Sequence, residues 1–118
     1  MTLKLNDFLL SNLDELLIFI YEDYISKIDK STYRIFNPHM NKISENLICF
    51  DHSWKIDDSE VIYNSTHCFV YPLNKSIKIT QHGQSEVAKE HLQYVQNNIG
   101  NFERQLKRDN ILKELIYG

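Results

Sequence analysis

Along the first thirty residues, apolar side chains return every three or four positions. Leu9, Leu13, Leu16, Ile20 and Tyr24 form one stripe, widened by Leu10, Leu17, Tyr21 and Ile28. That period predicts an amphipathic helix. Asn6 or Asp7 can cap it, since a short side-chain oxygen accepts from the N–H groups that a first turn leaves without partners. Glu15, Glu22 and Asp23 are read as lying off the stripe, on an acidic outer face.

From Asp29 to Lys75 the period falls to two. β-Branched and aromatic residues alternate with polar ones between turn formers, which predicts strands at Thr32–Phe36, Asn46–Ile56, Glu60–Tyr71 and Ser76–Gln81. Asn37-Pro38-His39, Asp57-Asp58-Ser59 and Pro72-Leu73-Asn74 are the expected connections. Pro72 has no N–H to give a ladder, so it ends the third strand.

Gly83 breaks the last strand, and Ser85 can cap a second helix. Ala88, Leu92, Val95, Ile99, Phe102 and Leu106 again step by three and four. Gly100 weakens that helix by about 1 kcal/mol relative to Ala, and a kink is expected there. Asp109-Asn110 is a second expected break, before a last turn with Ile111, Leu112 and Leu115. The expected architecture is α+β: a four-stranded antiparallel meander between an N-terminal helix and a long C-terminal helix, in one domain spanning residues 1–118.

Alternation also sets a register for the central hairpin. Ile48, Phe50, His52, Trp54 and Ile56 share one face of the second strand, and Val61, Tyr63, Ser65, His67, Phe69 and Tyr71 one face of the third. Joining these faces across the turn sets Ile56 against Val61, Trp54 against Tyr63, His52 against Ser65, Phe50 against His67 and Ile48 against Phe69. Cys49 then stands opposite Cys68 on the reverse face, beside Leu47, Ile62 and Val70. Both faces are partly apolar, so one helix is expected on one side, and the second helix or a partner on the other.

Composition narrows the classes. With 42% hydrophobic and 25% charged residues among 118, the chain has ordinary globular usage. Three Gly and two Pro leave little material for a phosphate-cradling loop. The net charge of −3 argues against a general DNA binder. Residues 1–60 hold 11 acidic and 6 basic side chains, residues 61–118 hold 5 and 7, so the first half is the acidic one. No leader pattern is visible, Leu16–Tyr21 is too short to cross a bilayer, and a cytoplasmic location without membrane contact is expected.

Four residues invite a metal reading, Cys49-x-x-His52 and His67-Cys68. Alternation turns Cys49 away from His52 and His67 away from Cys68, whereas zinc needs its ligands to converge. No metal and no cofactor are therefore expected, and a Cys–His nucleophile fails on the same geometry. Opposed cysteines would have Cβ atoms roughly 4.5–5.5 Å apart, within reach of a disulfide, although a reducing cytosol favours free thiols. His52, Ser65 and His67 form a polar cluster among aromatics and are the place for an enzyme site, but Asp51 points to the other face. Asp57-Asp58-Ser59-Glu60 reads as a solvated acidic turn. Arg104, Lys107 and Arg108, with Lys113 beyond, form a cationic stripe that could meet phosphates or complement a helix dipole.

The leading expectation is a small non-enzymatic protein that binds and inhibits or regulates another macromolecule. An immunity protein, an antitoxin or an inhibitor encoded by a phage would have these dimensions. Asp14, Glu15, Glu22 and Asp23, with Tyr21 or Tyr24 as aromatic anchor, are its expected contact with a basic protein partner. A homodimer through an apolar sheet face is a further expected association. Nucleic-acid binding through Arg104, Lys107 and Arg108 is one alternative, and a small enzyme using His52, Ser65 and His67 is the other.

Overall fold

A computed structural model describes residues 1–80 and 85–117. The order is β1 (Thr2–Lys4), α1 (Asp7–Ser11), α2 (Leu13–Lys27), β2 (Tyr33–Ser44), β3 (Leu47–Ile56), β4 (Tyr63–Tyr71), a 3-10 turn (Pro72–Asn74), β5 (Ser76–Ile79) and α3 (Ser85–Tyr117). The expected end of the last strand at Gln81 and the break at Gly83 lie outside the described residues, as does the side chain of Ser85.

The fold is α+β, with a meander and a long C-terminal helix, but the sheet has five antiparallel strands rather than four, in the order β1-β5-β4-β3-β2. The extra strand is the N-terminus, where Leu3 pairs with Ile77. Three residues are too few for an alternating pattern to stand out. The first helix is also split. Asn6 caps α1 by accepting from the Leu9 N–H, and Asn12 ends it, its side-chain amide donating to the Phe8 carbonyl.

Asn37-Pro38-His39 is not a connection but a bulge within β2. Pairing runs through Phe36↔Ser53 and resumes at His39↔Asp51, with Asn37 at φ 57. An edge strand tolerates both the left-handed Asn and a Pro that cannot donate.

The hairpin register holds over Trp54↔Tyr63, His52↔Ser65 and Asp51↔Thr66, then shifts by one, so that Phe50 pairs with Cys68 and Ile48 with Val70. His67 is the extra residue. The bulge turns both His67 and Cys68 into the interior, where both are fully buried, so their expected separation onto opposite faces is corrected. The expected Phe50–His67, Ile48–Phe69 and Cys49–Cys68 pairs are corrected with it, and Cys49 stands opposite Phe69 as a free thiol. Ile56 and Val61 do not pair either, because β4 begins only at Tyr63.

α2 and α3 both pack over one sheet face. Leu16, Leu17 and Ile20 meet Phe50, Cys68, Val70, Ile77 and Ile79, and Leu92 and Val95 of α3 close the same core. The reverse face is more polar than expected, with Ser53 donating to Asn64 at 2.8 Å and Thr66 to Asp51 at 2.6 Å across the strands.

α3 runs unbroken for 33 residues. No kink is found at Gly100 and no break at Asp109-Asn110, whose predecessor Gln105 donates to the Asp109 carboxylate one turn on. Tertiary packing overrides the local cost of one Gly, since Ile99 and Phe102 on either side of it lie against the core.

Candidate functional site

Three features could carry function: a buried polar chain, an aromatic cleft beside it, and the far end of α3. The polar chain starts on α2. Asp23 lies seven residues after Leu16 and three after Ile20, inside the buried stripe rather than outside it. Its carboxylate accepts from Lys27 one turn on and meets His91 Nδ1 of α3 at 2.7 Å. His91 Nε2 in turn faces His67 Nε2 of β4 at 3.0 Å. Both histidines are essentially inaccessible to solvent.

An ionised carboxylate only accepts, so His91 presents Nδ1–H to Asp23. A neutral His91 then accepts at Nε2 from His67, and a protonated one donates there instead. The bridge survives either state, and the three residues pin α2, β4 and α3 together. Tyr24 covers the chain, its ring 4.5 Å from His67 and 5.5 Å from His91 between centroids. Burial pushes its phenol up to about 12, with Tyr21 and Tyr33 adding repulsion to the ionised form. Among the described residues no three His, Cys, Asp or Glu side chains are placed to hold a metal ion.

On the other side of Tyr24 a cleft of about 170 Å³ opens between the end of α2 and the sheet. Ile28, Tyr33, Ile35 and Trp54 form its walls, with His52 and Ser65 at its base. The register places these side chains together, because Ile35 pairs with Trp54 and His52 with Ser65. Trp54 stacks on Tyr63 at 4.5 Å and donates from Nε1 to the Ser65 hydroxyl at 2.9 Å. A second cleft of about 400 Å³ shares Ile28, Tyr33 and Ile35 in its lining and adds Ile25, Lys30, Arg34, Phe36 and Lys55.

Of the residues expected to form an enzyme site, His52 and Ser65 line this cleft, whereas His67 turns away to His91. Asp51 stays on the reverse face, held by Thr66. The acid of the buried chain, Asp23, was expected on the outer face and is corrected to a buried position, and its second histidine, His91, is the residue that sequence reading missed. Their signal was position: both sit at helical spacing from buried neighbours, Ile20 and Val95 respectively.

The acidic face of α2 is correspondingly smaller than expected. Asp14, Glu15 and Glu22 are exposed, but Asp23 and Tyr24 are buried. Tyr21 is half-buried, its ring edge against Phe50 at 5.5 Å. In the cationic stripe, Lys107 folds back over the Phe8 ring and toward Glu103, and Arg104 donates to Asn101. Arg108 is exposed.

Beyond Asn110, every described residue of α3 is exposed. Ile111, Leu112, Leu115 and Ile116 are 58%, 54%, 77% and 68% accessible. At about 100° per residue these four centre roughly 150° round the helix from the stripe of Leu92, Val95, Ile99 and Phe102. The apolar side of the helix end therefore faces away from the body. Arg104 and Arg108 lie on the same line, one and two turns earlier.

The chain was compared with protein-family models, curated proteins and solved structures, and none of the three gives a match. No helix among the described residues is long and apolar enough to cross a membrane.

Proposed function

We propose that this is a non-enzymatic protein that binds another macromolecule and thereby inhibits or regulates it, and that the free end of α3 is its principal contact. The observation that carries this reading is the outward apolar stripe of Ile111, Leu112, Leu115 and Ile116. Roughly 25 cal/mol is lost for each Å² of apolar surface left in water, and contiguous exposed patches mark interaction sites. A helix stripe with this spacing suits insertion into an apolar groove. Arg104 and Arg108 add that the groove continues into an acidic rim. The buried Asp23–His91–His67 chain sets the direction in which α3 leaves the body, so the stripe is presented on a fixed axis.

The test is capture from extract of the native host, with and without nuclease treatment, comparing the wild type with a Leu112→Glu/Leu115→Glu variant. The expected result is one stoichiometric protein retained by the wild type and lost by the variant at unchanged helicity. Equal retention by both, or a bound species removed by nuclease, contradicts the reading.

A further inference from the structure

From the cleft between the end of α2 and the sheet we infer a second binding site, for an uncharged small molecule made of one aromatic ring and one hydrogen-bond acceptor. It stands apart from the helix end and does not depend on the partner reading. At about 170 Å³ the cleft is close in size to an apolar cavity that holds a single benzene, about 150 Å³. One ring with a short substituent fills it. Tyr24, Tyr33 and Trp54 present aromatic surface there, with Ile28 and Ile35 between them, and aromatic pairs gain from offset or edge-on contact beyond the area they bury. Trp54 is already fixed, stacked on Tyr63 at 4.5 Å and edge-on to Tyr33 at 6.0 Å. A preformed wall spares the ligand the cost of ordering it.

Ser65 sets the polar atom. Its hydroxyl accepts from Trp54 Nε1 at 2.9 Å, and a serine hydroxyl also has one proton to give. No acceptor for that proton stands among the described residues, so an oxygen on the ligand can take it. The lining also sets the charge. No Asp, Glu, Lys or Arg side chain lines this cleft among the described residues. A charged ligand would lose its hydration there and meet no opposite charge in return.

The probe is benzyl alcohol, titrated against the emission of Trp54, the one tryptophan in the chain, excited where neither tyrosine nor the probe absorbs. Saturable change below about 10 mM is expected, given the size of the probe. Cyclohexylmethanol, which keeps the hydroxyl but has no π-face, should bind about fivefold more weakly. Benzoate and benzylammonium should show no saturation in the same range. Ser65→Ala should weaken benzyl alcohol about fivefold, the net worth of one hydrogen bond, and leave toluene, which has no acceptor, unchanged. The wild-type ligand series decides the matter if Ser65→Ala does not fold. Absence of saturation by benzyl alcohol overturns the site. Binding of benzoate or benzylammonium as tight as that of the alcohol overturns the uncharged class, and equal binding of cyclohexylmethanol overturns the ring. An unchanged alcohol affinity in Ser65→Ala, or an equal loss for toluene, overturns the contact with Ser65.

Discussion

His67 and His91 face one another through their Nε2 atoms at 3.0 Å, and this contact joins the sheet to the long helix in the interior of the molecule. Asp23 fixes the arrangement from the opposite side of the His91 ring at 2.7 Å. A buried polar chain of this kind stabilises only while each member keeps its partners. Removing one leaves a charge or a ring nitrogen desolvated without compensation.

Asp23→Ala should therefore destabilise the fold by about 3 kcal/mol, the usual cost of breaking a buried pair. It removes the acceptor of both Lys27 and His91. Urea unfolding followed by circular dichroism measures this, and a loss below about 1 kcal/mol would show that the chain contributes little.

Alkaline stability should depend on Tyr24. Its phenol ionises at about 12 in the fold against an ordinary 10.0. The folded state thus holds the proton more tightly than the unfolded chain. The stabilisation is complete below pH 10 and is lost as pH rises through the folded value. Urea midpoints measured across this window should fall more steeply for the wild type than for Tyr24→Phe. Parallel profiles would count against the burial described for this residue.

Both thiols should resist modification in the folded state. Burial pushes Cys68 far above the ordinary range, and burial with the nearby Asp51 raises Cys49. Since thiolate is the reactive form, a disulfide-exchange reagent at mildly alkaline pH should find no thiol before denaturation and two after it. One rapid equivalent in the native protein would contradict the placement of whichever cysteine reacted.

Gly100→Ala should stabilise by about 1 kcal/mol. A Cβ there would meet only the Arg104 side chain at 3.6 Å, an ordinary contact. Thermal unfolding gives the sign, and a lower midpoint would mean that the glycine serves a close approach not visible in the helix.

Much of this fold is legible in the sequence where patterns are long. The helical stripes of Leu16–Ile20 and Leu92–Val95 declare themselves by period, and the hairpin register reads correctly from Trp54–Tyr63 to Asp51–Thr66 because alternation there is unbroken. It fails at His67, where a bulge adds one residue that strict alternation cannot accommodate. Asp23 is misread for a different reason. Its charge suggests the surface, while its spacing from Leu16 and Ile20 places it inside, and a charged residue at a stripe position is itself a sign of a buried pair. Asn37-Pro38 shows that turn-forming residues also serve a bulge. The outward stripe at the end of α3 is only half visible: Ile111, Leu112 and Leu115 read as a last turn after a break at Asp109-Asn110, since sequence alone does not say that the helix continues past the body.

The most direct test of the account is amide hydrogen exchange along α3 in the free protein and in the captured complex. With every one of residues 111–117 exposed, that segment should exchange quickly in the free chain. They should become the most strongly protected new segment in the complex, while the exposed acids of α2 and the reverse sheet face change little. Protection gained on α2 around Asp14, Glu15 and Glu22, with 111–117 still exchanging as in the free chain, would contradict the claim that the helix end is the principal contact.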